Sequence, residues 1–282
     1  MSSQHIYQAM PMRTEPSRFF EPVLDLTREA GRRIMEVYHS DFRVGLRPDD
    51  SLFTAADLAS HHCLVEGLES MYPHHPVLSE ESGGFGYATR SPWESFWLVD
   101  PLDGTREFIR RNGDFTVNVA LIHRHEPVFG VVYAPARDLA YFASEGCGAF
   151  RQSGRADPES IRVRARAPAT VRVAGGGRHD TVALGLYLSR LGEHEFISVG
   201  SSLNLCAVAE GAADLNPRIG LTAEWETAAA HCVVREAGGK VTQLCGRPLR
   251  YNTKESVLNP YFLVYGDPSR DWYRYAAGIG AG

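Results

Sequence analysis

No stretch of the 282-residue chain approaches the roughly 20 consecutive apolar residues that a membrane-spanning helix needs. The N-terminal MSSQHIYQAMPMRTEPSR also lacks the apolar centre of a secretory signal, so a cytoplasmic protein is expected. Positive charge is scarce. Lys and Arg number 29 against 34 Asp and Glu, a net charge of -5, which argues against a nucleic-acid polymer as partner because such binding rests on clustered cations. Small anionic substrates stay open if a local site or a metal supplies the positive charge. Cysteine is sparse too: Cys63, Cys147, Cys206, Cys232 and Cys245 are odd in number, widely spaced and without a Cys-x-x-Cys pair. They read as reduced thiols in packed positions. The eleven histidines include His61-His62, His74-His75 and the His123/His125 pair, but none has the helical His-x-x-x-His spacing with an acid that zinc hydrolases use. A zinc enzyme is therefore the weakest alternative, and His231 is expected to pack on a helix. There is no internal repeat and no low-complexity segment.

What remains is an ordinary globular composition, 44% hydrophobic and 22% charged, long enough for two packed subdomains. Residues 1–17 have no periodicity and are expected to form a mobile tail, with an N-terminal α+β subdomain over 18–158 and a C-terminal α/β subdomain over 159–282. Phe19, Val23, Leu26, Ala30, Ile34 and Val37 recur at helical spacing, with Pro22 tolerated in the first turn. Thr54 and Asp57 are spaced as a capping box for a second helix whose apolar face is expected at Leu58, Val65, Leu68 and Tyr72. PVLS (76–79) and FWLV (96–99) read as strands that end at carboxylates, Glu80-Glu81 and Asp100. Residues 115–122, 127–134 and 139–144 are β-rich, with a hairpin at HRHE. Beyond the polar RQSGRADPES, strands at 171–174 and 196–199 alternate with helices at 180–191 and 203–211.

The chemistry concentrates in WLVDPLDGTREF (97–108). Asp100 and Asp103 flank Pro101-Leu102. Read as a turn, proline fixes one backbone angle and Gly104 permits a tight exit, so the two carboxylates converge. Converging carboxylates repel unless a cation sits between them, and Mg²⁺ takes oxygen ligands of this kind, to which the Leu102 carbonyl adds another. Gly104 and Thr105 would offer free N–H groups to a phosphate at the start of a following helix. Pro-x-Asp-Gly alone is ordinary turn chemistry, and Glu80-Glu81 alone a solvated loop. Asp57 alone is a helix cap. The cation reading draws its weight from their company, with Asp49 and Asp50, at the ends of separate elements.

TAAD, VLSEES, WLVDPLDGTREFIRRNGDFTVNVALI, GVVYAPA, GSSL, VAEGAADLNPR, EWETAAAH and EAGG occur in one order from about Leu24 to Phe262. In that order they resemble the inositol-monophosphatase-like superfamily of Mg²⁺-dependent, lithium-sensitive phosphatases, most closely its 3'(2'),5'-bisphosphate nucleotidase branch. The resemblance implies an α/β (α+β) fold, a layered αβαβα sandwich with the site between its halves, and two or three Mg²⁺ ions. It assigns Glu80, Asp100, the Leu102 carbonyl, Asp103 and Glu226 to metal, and Asp49 and Thr105, with Glu80, to activation of the attacking water. The substrate-contact set is Leu102, Asp103, Gly104, Thr105 and Glu226 together with His179, Ser201 and Arg218. Of these, Gly104 and Thr105 hold the phosphate being cleaved. The implied reaction removes the 3'-phosphate of adenosine 3',5'-bisphosphate to give AMP, in support of sulfate assimilation. The implied partner is a small phosphorylated molecule, with a homodimer possible. Three positions depart from the pattern: Glu226 stands where the motif has Asp, Asn204 where the branch has Lys, and Leu52 where it has Pro. The longer Glu226 side chain is expected to bind the second metal differently, and Asn204 removes a charge that would approach a substrate phosphate. These departures keep an inositol or sugar-phosphate phosphatase, and a weakly active nucleotide- or metal-binding sensor, as alternatives.

Overall fold

The computed structural model describes residues 20–46, 52–82, 85–175, 181–200 and 202–280. Helix α1 (Phe20–Tyr38) buries Val23, Ala30 and Ile34 on one face, as its spacing predicts. Helix α2 (Ala55–Met71) starts on the expected capping box: the Thr54 hydroxyl accepts from the Ala56 N–H at 3.1 Å, and the Asp57 carboxylate accepts from the Thr54 N–H at 2.6 Å. Its inner face differs in part from the expected one. Leu68 is buried and Val65 and Tyr72 pack half-buried against the core as expected, but Leu58 is 40% exposed, and Ala56, Ser60, Cys63 and Leu64 are buried in its place. Small Ala56 and Ser60 turn inward, and the Ser60 hydroxyl donates to the Pro101 carbonyl at 2.7 Å.

Strands β1 (Val44–Leu46) and β2 (Leu52–Thr54) pair ahead of α2 as a separate antiparallel ribbon. Seven strands then form one sheet in chain order: β3 (Val77–Ser79), β4 (Ser95–Asp103), β5 (Thr116–His123), β6 (Glu126–Ala134), β7 (Leu139–Ser144), β8 (Gly148–Ser153) and β9 (Glu159–Ile161). All neighbours run antiparallel except β3 and β4. Short helices α3 (Tyr87–Arg90) and α4 (Thr105–Ile109) precede and follow β4. The HRHE hairpin forms, with Arg124 and His125 both at positive φ, the sense that matches strand twist. Both faces of the sheet are covered. Trp97 and Val99 pack towards α1 and α2, while Phe96 and Leu98 point to the opposite core.

That opposite core is shared with a second sheet of order β11-β10-β12-β14-β13. It comprises β10 (Val171–Gly175), β11 (His194–Ser198), β12 (Leu215–Arg218), β13 (Lys240–Gln243) and β14 (Phe262–Tyr265). Helices α6 (Leu203–Ala209) and α7 (Ala228–Glu236) lie between the sheets, and α5 (Val182–Leu191) covers the far side with Trp272 and Tyr275. The result is the αβαβα layering that the resemblance implies. The five cysteines are free thiols, but only Cys63, Cys206 and Cys232 are buried. Cys245 is exposed, because it lies in the polar turn after β13. No described helix is long and apolar enough to cross a membrane.

Candidate active site

The DPLD segment is not the turn its composition suggests. It continues β4, in which Asp100 pairs with Asn118 and Asp103 pairs with Thr116. Three steps along β4 therefore match two along β5, which is one extra residue and a β-bulge. Strand alternation would send Asp100 and Asp103 to opposite faces. The bulge at Pro101-Leu102 reverses the parity and returns both carboxylates to one face. Proline suits this position because a bulge leaves a backbone N–H out of the ladder. Convergence of the two acids thus holds, by a different mechanism from the one expected.

Asp100 lies at the centre of the charge. It is 1% exposed, and burial, followed by the charges of Glu80, Asp103 and Glu226, holds its carboxyl well above the usual range. Oδ1 accepts from the Leu102 N–H at 3.2 Å, whereas the buried Oδ2 meets no hydrogen-bond donor among the described residues. Glu80 follows β3, and its N–H donates to the Val99 carbonyl at 3.2 Å, which fixes it beside β4. Asp103 Oδ2 accepts from the N–H of Ser202 (3.0 Å), its hydroxyl (2.8 Å) and the Asn118 amide (3.3 Å). The Ser202 hydroxyl also lies 2.7 Å from the Glu226 carbonyl. Ser202 therefore links a carboxylate of the first sheet to the backbone of the loop that enters α7. Glu226 Oε1 accepts from the Ala223 N–H at 2.9 Å, and its Oε2 lies 3.9 Å from the buried Arg218 guanidinium at the end of β12.

This donor set suits a hard divalent cation. A buried carboxylate among three further carboxylates is stabilised by a shared proton or by a cation, and Mg²⁺ takes oxygen ligands of this kind. Among the described residues no three His, Cys, Asp or Glu side chains close as a finished cage. Asp103 and Glu226 instead each give one oxygen to protein donors. Leu102 is buried in the bulge, and Thr105 is buried as the first residue of α4. Gly104 takes φ +91, and a Cβ there would lie 3.2 Å from the Asp114 carbonyl, so glycine is required where strand becomes helix. Asp49, Asp50, His179 and Ser201 lie outside the described residues. Asn204 is fully buried in the first turn of α6. His231 is buried in α7 with Nδ1 2.9 Å from the Tyr251 hydroxyl, and burial lowers it to about 3, so it is a neutral packing residue as expected.

Sequence reasoning missed Ser202 and Asn118. Asn118 had a signal, being the only amide within the apolar run FTVNVALI. Ser202 sat within GSSL, but its neighbour Ser201 carried the family assignment.

An αβαβα sandwich with a carboxylate cluster on a strand bulge defines a class of metal-assisted phosphatase folds. The inositol monophosphatase family pattern matches residues 15–270, and the chain belongs to that family. It is 46% identical over 252 residues to the 3'(2'),5'-bisphosphate nucleotidase CysQ of Salmonella typhimurium, with 86% of this chain and 98% of that protein covered. The crystal structure of CysQ from Bacteroides thetaiotaomicron, a bacterial member of the same family, matches with a TM-score of 0.77 at 40% identity over 89% of this chain and 97% of that one. The suhB protein of Bartonella henselae matches with a TM-score of 0.77 at 26% identity, covering 93% and 99%.

The geometry at Ser202 gives a first prediction. Ser202→Ala removes the hydroxyl shared between Asp103 and the Glu226 carbonyl but keeps the backbone N–H on Asp103. If Asp103 is a metal ligand, losing a group that orients it costs about 10–100-fold in activity. Mg²⁺-dependent phosphate release should fall by that factor. A change of less than about twofold would mean that Ser202 only packs.

Proposed function

We propose that this chain is a Mg²⁺-dependent 3'(2'),5'-bisphosphate nucleotidase that hydrolyses the 3'-phosphate of adenosine 3',5'-bisphosphate to AMP and phosphate. The observation that carries the reading is the fully buried Asp100, with its donor-less oxygen, among Glu80, Asp103 and Glu226. The names of the relatives supply the substrate class.

In this reading Glu80, Asp100, the Leu102 carbonyl, Asp103 and Glu226 hold Mg²⁺. When bound, the metal lowers the pKa of a water and offsets the charge of the phosphate and the departing oxygen. The chain's own groups do the rest. Thr105, with Asp49, orients the attacking water, and Glu80 assists from the end of β3. Gly104 and Thr105 present first-turn N–H groups of α4 to the phosphate being cleaved. Arg218 supplies a guanidinium, beside Glu226, that suits a phosphate through a bidentate fork. His179 and Ser201 complete the substrate contacts. This removal of a by-product fits a role in sulfate assimilation in a soluble, cytoplasmic enzyme.

Purified protein should release phosphate from adenosine 3',5'-bisphosphate with Mg²⁺ and stop when a chelator is added. No release in the presence of Mg²⁺ would overturn the reading. One observation favours a second substrate class: Asn204 is neutral where the nucleotidase branch has Lys. Turnover of inositol monophosphates and fructose 1,6-bisphosphate in the same assay, exceeding that of the nucleotide, would establish a sugar-phosphate phosphatase instead.

A further inference from the structure

Glu224 stands two residues before Glu226 and belongs to none of the roles above. Its side chain is 1% exposed, and its Oε1 is buried with no hydrogen-bond donor among the described residues. Its Oε2 accepts from the Asn252 N–H at 2.8 Å. Asn252 is itself unusual: it takes φ +54, and both ends of its amide are engaged by one residue, Arg90. Arg90 donates to the Asn252 Oδ1, and the Asn252 Nδ2 donates back to the Arg90 carbonyl at 2.6 Å. The Arg90 Nη2 donates to the carbonyls of Lys254 (3.1 Å) and Glu255, while the guanidinium lies 5.0 Å from the Tyr87 ring centroid. Arg90 is 2% exposed, so a fork-shaped cation is fully buried with the whole of its bonding directed at one segment, residues 252–255.

The two ends of this chain of bonds lead to the two halves of the site. Arg90 ends α3 in the connection from β3, which delivers Glu80, to β4, which carries Asp100 and Asp103. Glu224 opens the loop that delivers Glu226. That loop is tied to the same 250s segment at further points: the Glu224 N–H donates to the Val257 carbonyl at 2.8 Å, and the Asn259 amide donates to the Ala223 carbonyl at 3.0 Å. A buried ion is expensive unless paired and hydrogen-bonded, and this structure buries both an arginine and a carboxylate with one amide between them. The cost is accounted for if the link fixes a distance.

We propose that Arg90, Asn252 and Glu224 form a buried positioning relay that sets Glu226 relative to Glu80 and Asp100, and so tunes how tightly the site holds Mg²⁺. None of the three is among the residues proposed to hold metal or substrate. The inference rests on the proposed metal-binding role of the carboxylates, so its test reads metal binding directly as well as turnover.

Asn252→Gly keeps the positive φ and the N–H that reaches Glu224, but removes the amide that joins it to Arg90. Arg90→Lys keeps the charge and loses the fork. Mg²⁺ is titrated calorimetrically into the substrate-free full chain, and phosphate release from adenosine 3',5'-bisphosphate is followed against Mg²⁺ concentration. The Mg²⁺ Kd of each folded variant should rise about 10–100-fold, the range for groups that orient ligands. At saturating Mg²⁺, kcat and the substrate KM should stay within about threefold. A merely structural role would lower Tm and leave the Mg²⁺ Kd within about twofold of the parent. That result in whichever variant folds overturns the relay. A parent chain that binds Mg²⁺ and hydrolyses the nucleotide, with variants of unchanged Kd, removes the relay alone. A parent that binds no Mg²⁺ removes both it and the proposed function.

Discussion

Asp100→Asn is expected to abolish most Mg²⁺-dependent phosphate release, by at least about a hundredfold, while the protein in chelator unfolds at the same or a higher temperature. The two halves of that expectation have one cause. Asp100 is fully buried, its Oδ2 lacks a hydrogen-bond donor among the described residues, and Glu80, Asp103 and Glu226 add like charge around it. Without a cation this arrangement opposes folding, because a buried carboxylate is favourable only when paired. An amide of the same shape removes the charge and keeps an oxygen for the Leu102 N–H. In the proposed metal site it also withdraws the anionic oxygen that a hard cation needs, and changing a ligand there should cost more than the 10–100-fold typical of the groups behind the ligands. The measurements are phosphate release at saturating Mg²⁺ and thermal unfolding in chelator. Activity within about tenfold of the parent would remove Asp100 from the metal site, and a lower Tm in chelator would make it a structural acid.

How far this was legible in the sequence depended on the range of the interaction. Local features could be read: the Thr54–Asp57 capping box, the Arg124-His125 hairpin and the heptad-like face of α1 are set within four residues by capping, twist and helical period. The order of motifs also identified the family and its layering. DPLD was misread as a turn because Pro and Gly signal turns by composition, whereas a bulge is visible only against the partner strand, where Asp100 meets Asn118 and Asp103 meets Thr116. Leu58 was misplaced for a related reason: the inner face of α2 follows the approach to Pro101, and that favours small Ser60 over a large apolar residue. The supports of the site were out of reach. Ser202 is 99 positions from Asp103 and Asn252 is 162 from Arg90, and no periodicity connects such pairs.

Gly130→Ala should be among the most damaging single-methyl changes in the chain, and Gly67→Ala, at almost the same shortest distance, should be harmless or stabilising. A Cβ on Gly130 in β6 would lie 2.4 Å from the Ala229 carbonyl oxygen and 2.8 Å from its Cα, so its three nearest atoms are all backbone of α7. Backbone cannot rotate away, and overpacking of this sort costs about 1–3 kcal/mol or more, a fall in Tm of several degrees for a chain of this size. Replacing Ala229 by Gly should give no rescue, because the clash is with main-chain atoms and not with a side chain. A Cβ on Gly67 in α2 would meet only the end of the Leu26 side chain, at 2.5 Å. That end can change rotamer, and alanine in a helix interior gains about 1 kcal/mol over glycine. The Gly130 change also reaches the site: α7 begins at Ala228, two residues after Glu226, so a displaced helix carries that carboxylate with it. Gly130→Ala should therefore lose Mg²⁺ affinity together with Tm, whereas Gly67→Ala keeps both. Thermal unfolding and Mg²⁺ titration of the two proteins decide it. A Tm for Gly130→Ala within about 1 °C of the parent would mean that β6 and α7 lie further apart than the Gly130–Ala229 contact indicates.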